Sequence, residues 1–258
     1  LREAVAMWRK VQGEEHTEVA TGLNNLALLL RDKGDYDAAE PLYREALAMK
    51  RKLLGREHPD VAITLSGLAE LLRRKGDYDA AEPLFRETLV MRRKLLGREH
   101  PRVATSLNRL AATLAEKGDY DAAEPLFREA LSLCRRTLPE GHTRTAEALL
   151  GLGEVMLAKE QPTEAEPLLR EAVQIRQQAL PEGHWRRAEA ASVLGACLSA
   201  LGRFDEAEPL LLDGYNGLNQ TRGAESLFTR RALQHLTAHY RRRGLPDQAA
   251  AYQALAQH

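Results

Sequence analysis

Apolar residues recur every three or four positions along most of the chain, which is the spacing of an amphipathic α-helix. Within residues 34–75 this spacing marks two successive helices. The first stripe consists of Ala39, Leu42, Tyr43, Ala46, Leu47, Leu53 and Leu54, and the second of Ala62, Leu65, Leu68, Ala69 and Leu72. No segment alternates between apolar and polar residues with period two. We therefore predict an all-α protein without strands.

Residues that favour helix starts and stops mark the ends of both helices. Asp37, followed three residues later by Glu40, has the arrangement of a capping box at the first helix, and Gly55 marks its end. Pro59 suits the first position of the second helix, which ends at Gly76. Each unit is thus predicted to be a pair of antiparallel helices of about 17 residues, each about 25 Å long.

The helix pair repeats at a fixed interval of 42 residues. The phrase GDYDAAEPL and its weaker versions begin at residues 34, 76, 118, 160, 202 and 244. We predict one array over residues 1–258: a partial repeat over 1–33, repeats that begin near 34, 76, 118, 160 and 202, and a terminal capping helix from about 244. Because the chain begins at Leu1 in mid-repeat, inside a helix that aligns with residues 43–55, we expect it to be an excised piece of a longer protein.

Small residues return at fixed points of both helices. One position holds Ala39, Ala81, Ala123, Ala165, Ala207 and Ala249, and another holds Ala27, Ala69, Ala111, Gly153 and Gly195. Such residues let neighbouring backbones approach closely. A single helix pair cannot bury its stripe alone, so we expect these positions to be the joints at which successive pairs stack.

Composition narrows the function. Lys plus Arg and Asp plus Glu both total 37, so the net charge is zero, and a nucleic-acid partner is disfavoured. No apolar run reaches membrane-spanning length, so no membrane partner is expected. The only cysteines, Cys134 and Cys197, lie in different repeats and do not form a disulfide framework or a zinc motif, which favours a reducing, cytoplasmic environment.

The repeat resembles the tetratricopeptide repeat. Its W-L-G-Y…G-Y-A-F-A pattern, with Leu in place of the opening aromatic residue, is matched by Leu65, Leu68, Ala69, Leu72, Gly76, Tyr78, Ala81, Phe85 and Thr88. The usual unit has about 34 residues, and the longer unit here, with GREHPDVA and LNNLA, resembles the kinesin light chain type. The resemblance implies a right-handed superhelical solenoid of antiparallel helix hairpins that binds a protein or peptide and needs no cofactor.

The helices that follow the GREHP-type turn are the first helices of the tetratricopeptide hairpin, and their variable positions are expected to line the inner curve. Polar, amide and charged side chains at a constant pitch suit an extended peptide. The candidate peptide-binding residues are Asn24, Asn25, Leu28, Arg31, Ser66, Glu70, Arg73, Thr105, Asn108, Arg109, Glu147, Leu150, Glu154, Glu189, Ser192 and Gln234. In proteins that this chain resembles, first-helix asparagines hold the peptide backbone, which carries over to Asn24, Asn25 and Asn108 only.

The sign of the charges changes along these positions. Arg31, Arg73 and Arg109 lie toward the N-terminal half, whereas glutamates follow in the middle repeats. We hypothesise that an acidic segment or a C-terminal carboxylate of the ligand prefers the N-terminal arginines.

Several other interpretations stay open. The partner surface is either the inner curve or a loop edge or outer face. A second interpretation is that the array does not bind a free peptide but is the sensor or regulatory segment of a larger ATPase, kinase or protease and docks on other domains of the same full-length chain. A third is that it acts through spacing or self-association. Neither a nucleophile set nor a phosphate-binding loop is present in the sequence, so we predict no enzymatic activity.

Three residue types are candidates for chemistry. His16, His58, His100, His142 and His184 recur at one position, and we interpret them as turn residues that pack or cap at the helix start rather than as metal ligands, because stacked repeats separate them too far for a shared ion. The position of Cys134 also holds Trp8, Lys50, Arg92 and Arg176 and looks exposed. Trp8 and Trp185 are expected to cover hydrophobic surface.

Overall fold

The computed structural model describes residues 15–255, together with Met7, Val11 and Gly13. Apart from those three positions, the helix predicted over residues 1–13 lies outside the described residues, as does Trp8. Within the described part the chain forms α-helices and no strands, as the apolar spacing predicts.

The helices in chain order are α1 (Thr17–Asp32), α2 (Tyr36–Leu54), α3 (Pro59–Lys75), α4 (Tyr78–Leu96), α5 (Pro101–Lys117), α6 (Tyr120–Thr137), α7 (Thr143–Ala158), α8 (Pro162–Ala179), α9 (Trp185–Ala200), α10 (Phe204–Arg222), α11 (Leu227–Arg242) and α12 (Pro246–Leu255). We call the odd-numbered helices, which begin after a GREHP-type turn or its equivalent, A helices and the even-numbered ones B helices. The A helices have 16 or 17 residues, close to the predicted length.

The helices pack into two compact units, Leu1–Leu133 and Cys134–His258, whose boundary falls inside α6. In the first unit the helices α1 to α4 each pack on the next helix in the chain, and the A helices α1, α3 and α5 also contact one another in that order. In the second unit α9 contacts both α7 and α11 in the same way. Each unit therefore presents a row of adjacent A helices.

The repeated histidines begin five of the A helices. In each case the imidazole Nδ1 accepts a hydrogen bond from the backbone N–H two residues later, at 3.1 to 3.3 Å. This bond satisfies one of the amide donors that a helix start leaves unpaired. The capping role predicted for these histidines is confirmed.

The B helices begin earlier than the capping-box interpretation predicts. Asp35, rather than Asp37, is the N-cap of α2, and its side chain accepts from the amide of Ala38 at 3.3 Å. Asp37 and Glu40 instead accept hydrogen bonds from Lys75 at the end of α3, both at 3.0 Å. The capping-box prediction was therefore wrong. Asp37 and Glu40 instead connect the B helix α2 to the following A helix α3.

The small residues lie at the joints, as predicted. The alanines that begin each B-helix stripe are 0% exposed in five repeats and 3% exposed at Ala249. The small-residue position of the A helices is also buried: Ala27, Ala69 and Ala111 are 0% exposed. A Cβ added to Gly153 would lie 2.4 Å from Cδ2 of Leu169, so any side chain there would require Leu169 to move.

Candidate functional site

In the first unit, the candidate residues lie along the row α1, α3 and α5. Asn25 is exposed, and Leu28 is 37% exposed. Thr105 and Arg109 are half-buried one helical turn apart on α5, so their side chains share one face of that helix. These four residues place amide, apolar, hydroxyl and cationic groups on the A helices.

Asn24 and Asn108 occupy the same repeat position and are nearly buried, at 9% and 8% exposure. Asn24 donates weakly to Asn25 Oδ1, at 3.4 Å, and its own Oδ1 has no hydrogen-bonding partner among the described residues. Neither the oxygen nor the nitrogen of the Asn108 amide has a partner within the same part of the chain. A buried polar group without a hydrogen bond costs about 1–3 kcal/mol, so both amides carry unused hydrogen-bonding capacity.

Ser66, the intervening residue of that series, differs from the two asparagines. It is 2% exposed, and its hydroxyl accepts a hydrogen bond from Nη1 of Arg109 at 2.6 Å. The contact connects α3 with α5. Ser66 therefore positions Arg109 on the surface formed by the A helices.

Two arginines that were predicted to meet an acidic ligand are held by carboxylates of the protein. Arg31 pairs with Asp32 at 2.9 Å. Arg73 pairs with Glu70 at 2.9 Å and with Glu116 at 2.6 Å. Burial would raise the pKa of Glu70, but Arg73 outweighs it and holds that pKa at about 2. The structure thus gives no support to Arg31 and Arg73 as free cations for a ligand.

The B-helix position that looked exposed from sequence is buried. Lys50 is 4% exposed, Arg92 9%, Cys134 0% and Arg176 3%. Each cation lies at the contact between its B helix and the following A helix: Lys50 donates to Thr64, and Arg92 donates to Ser106. The expected exposure was wrong because long side chains bury their stems and keep only the polar end hydrogen-bonded.

In the second unit the candidate glutamates are paired. Glu147 lies 3.0 Å from Arg186, and Glu189 lies 2.7 Å from Arg176. Gln234 is exposed on α11. Leu150 is only 4% exposed; it belongs to the core, and we remove it from the candidate surface.

A small cleft lies between α9 and α11. Its lining residues are Glu154, Glu189, Ser192, Val193, Leu218, Phe228, Arg231, Ala232 and His235. Ser192 Oγ lies 2.9 Å from Nδ1 of His235. Burial, assisted by Arg231 and Arg242, lowers the pKa of His235 to about 4, so this imidazole is neutral at pH 7.

Among the described residues no three His, Cys, Asp or Glu side chains form a group that could hold a metal ion. Both cysteines are buried, and burial raises the pKa of each thiol to about 11. Over the same part of the chain, no helix has the length and apolarity needed to cross a membrane.

Sequence reasoning missed the contacts between neighbouring A helices. Ser66 meets Arg109, Arg73 meets Glu116, and Ser192 meets His235, each across 43 residues. In the sequence, the signal for such contacts is a pair of polar residues separated by one repeat plus one residue. Which of the many polar pairs at that spacing make contact depends on the rotation of the helices.

Family and structural comparisons agree with this architecture. A family model described as tetratricopeptide repeat matches residues 1–52, 18–94, 60–136 and 102–178, and a second model of that description matches 188–212. Comparison with curated proteins finds no match.

Solved structures with similar folds include two of kinesin light chain type. One is a Podosopora anserina protein with nearly identical TPR-like repeats, at 25% identity and TM-score 0.65, covering 81% of this chain and 99% of that one. Another is BtubC (BKLC) from P. vanneervenii, at 27% identity and TM-score 0.68, covering 86% and 88%. The apo form of RapI shares the fold at 14% identity and TM-score 0.79, covering 99% of this chain and 87% of its own.

The 42-residue spacing, the helix hairpins and these neighbours give one assignment. Repeats of this type are generally non-catalytic scaffolds for protein or peptide partners. The chain belongs to the tetratricopeptide repeat family, in its 42-residue, kinesin light chain-like form.

Proposed function

We propose that the protein is a non-enzymatic interaction module that holds an extended peptide segment of a partner along its A helices. The segment belongs either to another protein or to another domain of the same full-length chain. The observation that carries this proposal is the amide of Asn108, which is nearly buried and has no hydrogen-bonding partner among the described residues.

An asparagine amide donates and accepts at once, which matches the C=O and N–H of a peptide backbone. Asn24 lies at the same position two repeats earlier, with its Oδ1 also unpaired within the described part. Because these atoms make no internal hydrogen bond, turning them toward a ligand breaks none. Binding therefore recovers the cost that the unliganded protein carries.

The surroundings of the asparagines also favour a peptide. Leu28 and Ile63, at 37% and 43% exposure, are apolar side chains on α1 and α3 that a partner would cover. Thr105 and Arg109 add polar groups on α5. The mixture of buried amides with partly exposed apolar residues is suited to main-chain hydrogen bonds plus side-chain contacts.

The proposal is tested by peptide-display selection on the protein, followed by affinity measurements on Asn24→Ala and Asn108→Ala. Each variant should weaken binding of the selected peptides about tenfold, the equivalent of 1.4 kcal/mol. Neither should lower the stability of the free protein, because the amide atoms removed are unpaired or, at Asn24 Nδ2, only weakly bonded. Val90→Ser is the control, since Val90 is 66% exposed on the B helix α4.

Peptides that bind both asparagine variants as tightly as the parent protein would place the binding surface elsewhere. Selected peptides whose binding is weakened by Val90→Ser but not by Asn108→Ala would likewise place the binding surface elsewhere.

A further inference from the structure

Two histidines of α11 contact the neighbouring A helix α9. His235 and His239 are four residues apart, so their side chains share one face of α11. Nδ1 of His235 lies 2.9 Å from Oγ of Ser192, and Nδ1 of His239 lies 3.2 Å from Oγ of Ser199. Both serines belong to α9. The contact between α9 and α11 therefore contains two imidazoles, each beside a serine hydroxyl.

The equivalent positions of other repeats carry side chains that keep their charge between pH 5 and 8. In the four preceding repeats the position of His239 holds Leu71, Thr113, Val155 and Cys197, which are all 0% exposed. Between α7 and α9, the positions of His235 and Ser192 hold Val193 and Leu150. Histidine is the side chain that ordinarily changes its charge in this pH range, so the contact between α9 and α11 differs in kind from the other contact between A helices in the second unit.

His239 occupies a core position and is 0% exposed. Its ring lies between Phe204 of α10 and Tyr240 of its own helix, with centroid distances of 5.7 and 5.0 Å. Nε2 has no hydrogen-bonding partner among the described residues. A protonated imidazole has an N–H on both nitrogens, so protonation would leave a charged donor buried without an acceptor, which is costly.

The charged side chains around His239 are those of Glu208 on α10 and of Arg242 and Arg243 on α11. From α9 the ring meets Ser199, which carries no charge. Glu208 attracts a cation, but it already accepts hydrogen bonds from Tyr240 at 2.8 Å and from Arg243 at 2.6 Å. Burial, assisted by the two arginines, outweighs Glu208 and lowers the pKa of His239.

His235 lies at the cleft between α9 and α11, together with Glu154, Glu189 and Arg231. The two carboxylates are next to cations of the protein: Glu189 lies 2.7 Å from Arg176, and Glu154 lies 3.9 Å from Arg231. Burial and the arginines of α11 hold the pKa of His235 at about 4. His235 therefore also favours the neutral form while α11 is packed on α9.

We propose that the contact between α9 and α11 is pH-sensitive: the neutral imidazoles of His235 and His239 hold α11 on α9, and mild acid releases α11 together with α12. Helices of a repeat array contact mainly their neighbours, so one weakened contact opens while the rest of the array stays folded. α12 packs on α11, where Tyr252 stacks on Tyr240 at 5.4 Å. Release of α11 removes one A helix from the row of the second unit, with or without a partner bound.

The direction of the effect follows from the neutral state of the packed imidazoles. A histidine whose pKa is lowered by packing stabilises the packed state fully above its ordinary pKa, near 6.5, and this contribution is lost as the pH falls toward the lowered value. Between pH 7.5 and 5.5 each such histidine shifts the opening equilibrium by about tenfold. The two together shift it by about a hundredfold.

Hydrogen exchange detected by mass spectrometry tests the proposal without a ligand. Protection factors, which correct for the intrinsic pH dependence of exchange, are compared at pH 7.5 and 5.5. The variants are His239→Leu, which copies the equivalent Leu71, His235→Asn, which copies the equivalent Asn25, and the double variant. Should His239→Leu not fold, His239→Val, which copies Val155, replaces it.

In the parent protein the protection of α11 should fall by about a hundredfold between the two pH values. Each single variant should show a fall of about tenfold, and the double variant less than twofold. The protection of α8, in the same unit, should change much less than that of α11.

Two results would overturn the proposal. If α11 loses no more protection in the parent protein than in the double variant, the imidazoles do not control its release. If α8 and α11 of the parent lose protection equally, the second unit opens as a whole and the contact between α9 and α11 is not the sensitive element.

Discussion

Nη1 of Arg73 lies 2.6 Å from one carboxylate oxygen of Glu116 and 2.7 Å from the other. The contact joins the adjacent A helices α3 and α5. The same guanidinium donates to Glu70 on its own helix, at 2.9 and 3.2 Å. Arg73 therefore holds two neighbouring repeats together, and both of these carboxylate partners belong to the protein itself.

Replacing Arg73 should destabilise the first unit. In Arg73→Met the carboxylates of Glu70 and Glu116, each with 11% side-chain exposure, lose their shared cation, although Glu70 keeps its pair with Arg74 at 3.1 Å. Removing one partner of a buried ion pair costs about 3 kcal/mol, so we expect a loss of up to about that size. Urea unfolding monitored by circular dichroism measures the loss. Arg31→Met is the matched control, because its partner Asp32 is 51% exposed and such pairs contribute at most about 1 kcal/mol.

Stability should fall in acid because of Glu70. Although burial acts to raise its pKa, the charge and hydrogen bond of Arg73 lower it from 4.5 to about 2 in the folded protein. A group with a depressed pKa contributes stability above its ordinary pKa and loses it as the pH falls through the folded value. The loss attributable to Glu70 should therefore begin near pH 4.5 and continue toward pH 2.

The measurement is the urea midpoint between pH 6 and pH 3. The slope of stability against pH below 4.5 should be smaller in Glu70→Gln than in the parent protein. Glu140→Gln, at an exposed position, should keep the parent slope. An unchanged slope in Glu70→Gln would show that Glu70 is not the group that titrates.

Much of the fold followed from the sequence because repetition averages out local ambiguity. The spacing of Leu65, Leu68 and Leu72 predicts one helix, and its return every 42 residues confirms the pattern without any alignment. The burial of Ala39 and Ala69 followed from the same reasoning. The start of α2 did not, since both Asp35 and Asp37 are good caps and only the backbone decides between them.

The candidate site was less predictable, because exposure on a helix depends on what packs beside it. Leu150 shares its repeat position with Asn24 and Asn108 but is buried in the core. Arg92 and Cys134 looked exposed because the same position accepts Lys and Trp, whereas both are buried in the structure and Arg92 donates to Ser106 on the following A helix. Charge alone did not show that Arg73 is already paired.

The two thiols should be unreactive in the folded protein. Cys134 and Cys197 are 0% exposed, and burial raises both pKa values to about 11, so the nucleophilic thiolate is scarce at pH 8. Reaction with Ellman's reagent should be slow in buffer and release two equivalents in 6 M urea. Fast release of one equivalent in buffer would contradict the burial of the corresponding cysteine.

Removing a histidine cap should shorten or destabilise its helix. Nδ1 of His100 accepts from the amide of Arg102 at 3.1 Å, and losing an N-cap costs about 1 kcal/mol. His100→Ala should therefore lower the free energy of unfolding by about that amount. His100→Asn should retain most of it, because the asparagine oxygen accepts the same bond, and equal losses in the two variants would point to packing instead of capping.

Residues 153 and 169 should be coupled in their effect on stability, because the equivalent positions in other repeats vary together. Gly153 and Gly195 belong to the repeats with Leu169 and Leu211, whereas Ala69 and Ala111 belong to those with Phe85 and Phe127. At Gly153 an added Cβ would lie 2.4 Å from Cδ2 and 2.6 Å from Cγ of Leu169. Branching at Cγ thus leaves room only for glycine, while a flat ring in the other repeats accepts alanine.

Gly153→Ala alone should therefore destabilise the second unit by about 1–3 kcal/mol through overpacking. The double variant Gly153→Ala with Leu169→Phe, which copies the pair found in the first unit, should recover most of that loss. Leu169→Phe alone is the control, and urea unfolding of all four proteins gives the coupling energy directly. If the effects of the two substitutions are additive, the shape of the side chain at position 169 is not the reason for glycine at position 153.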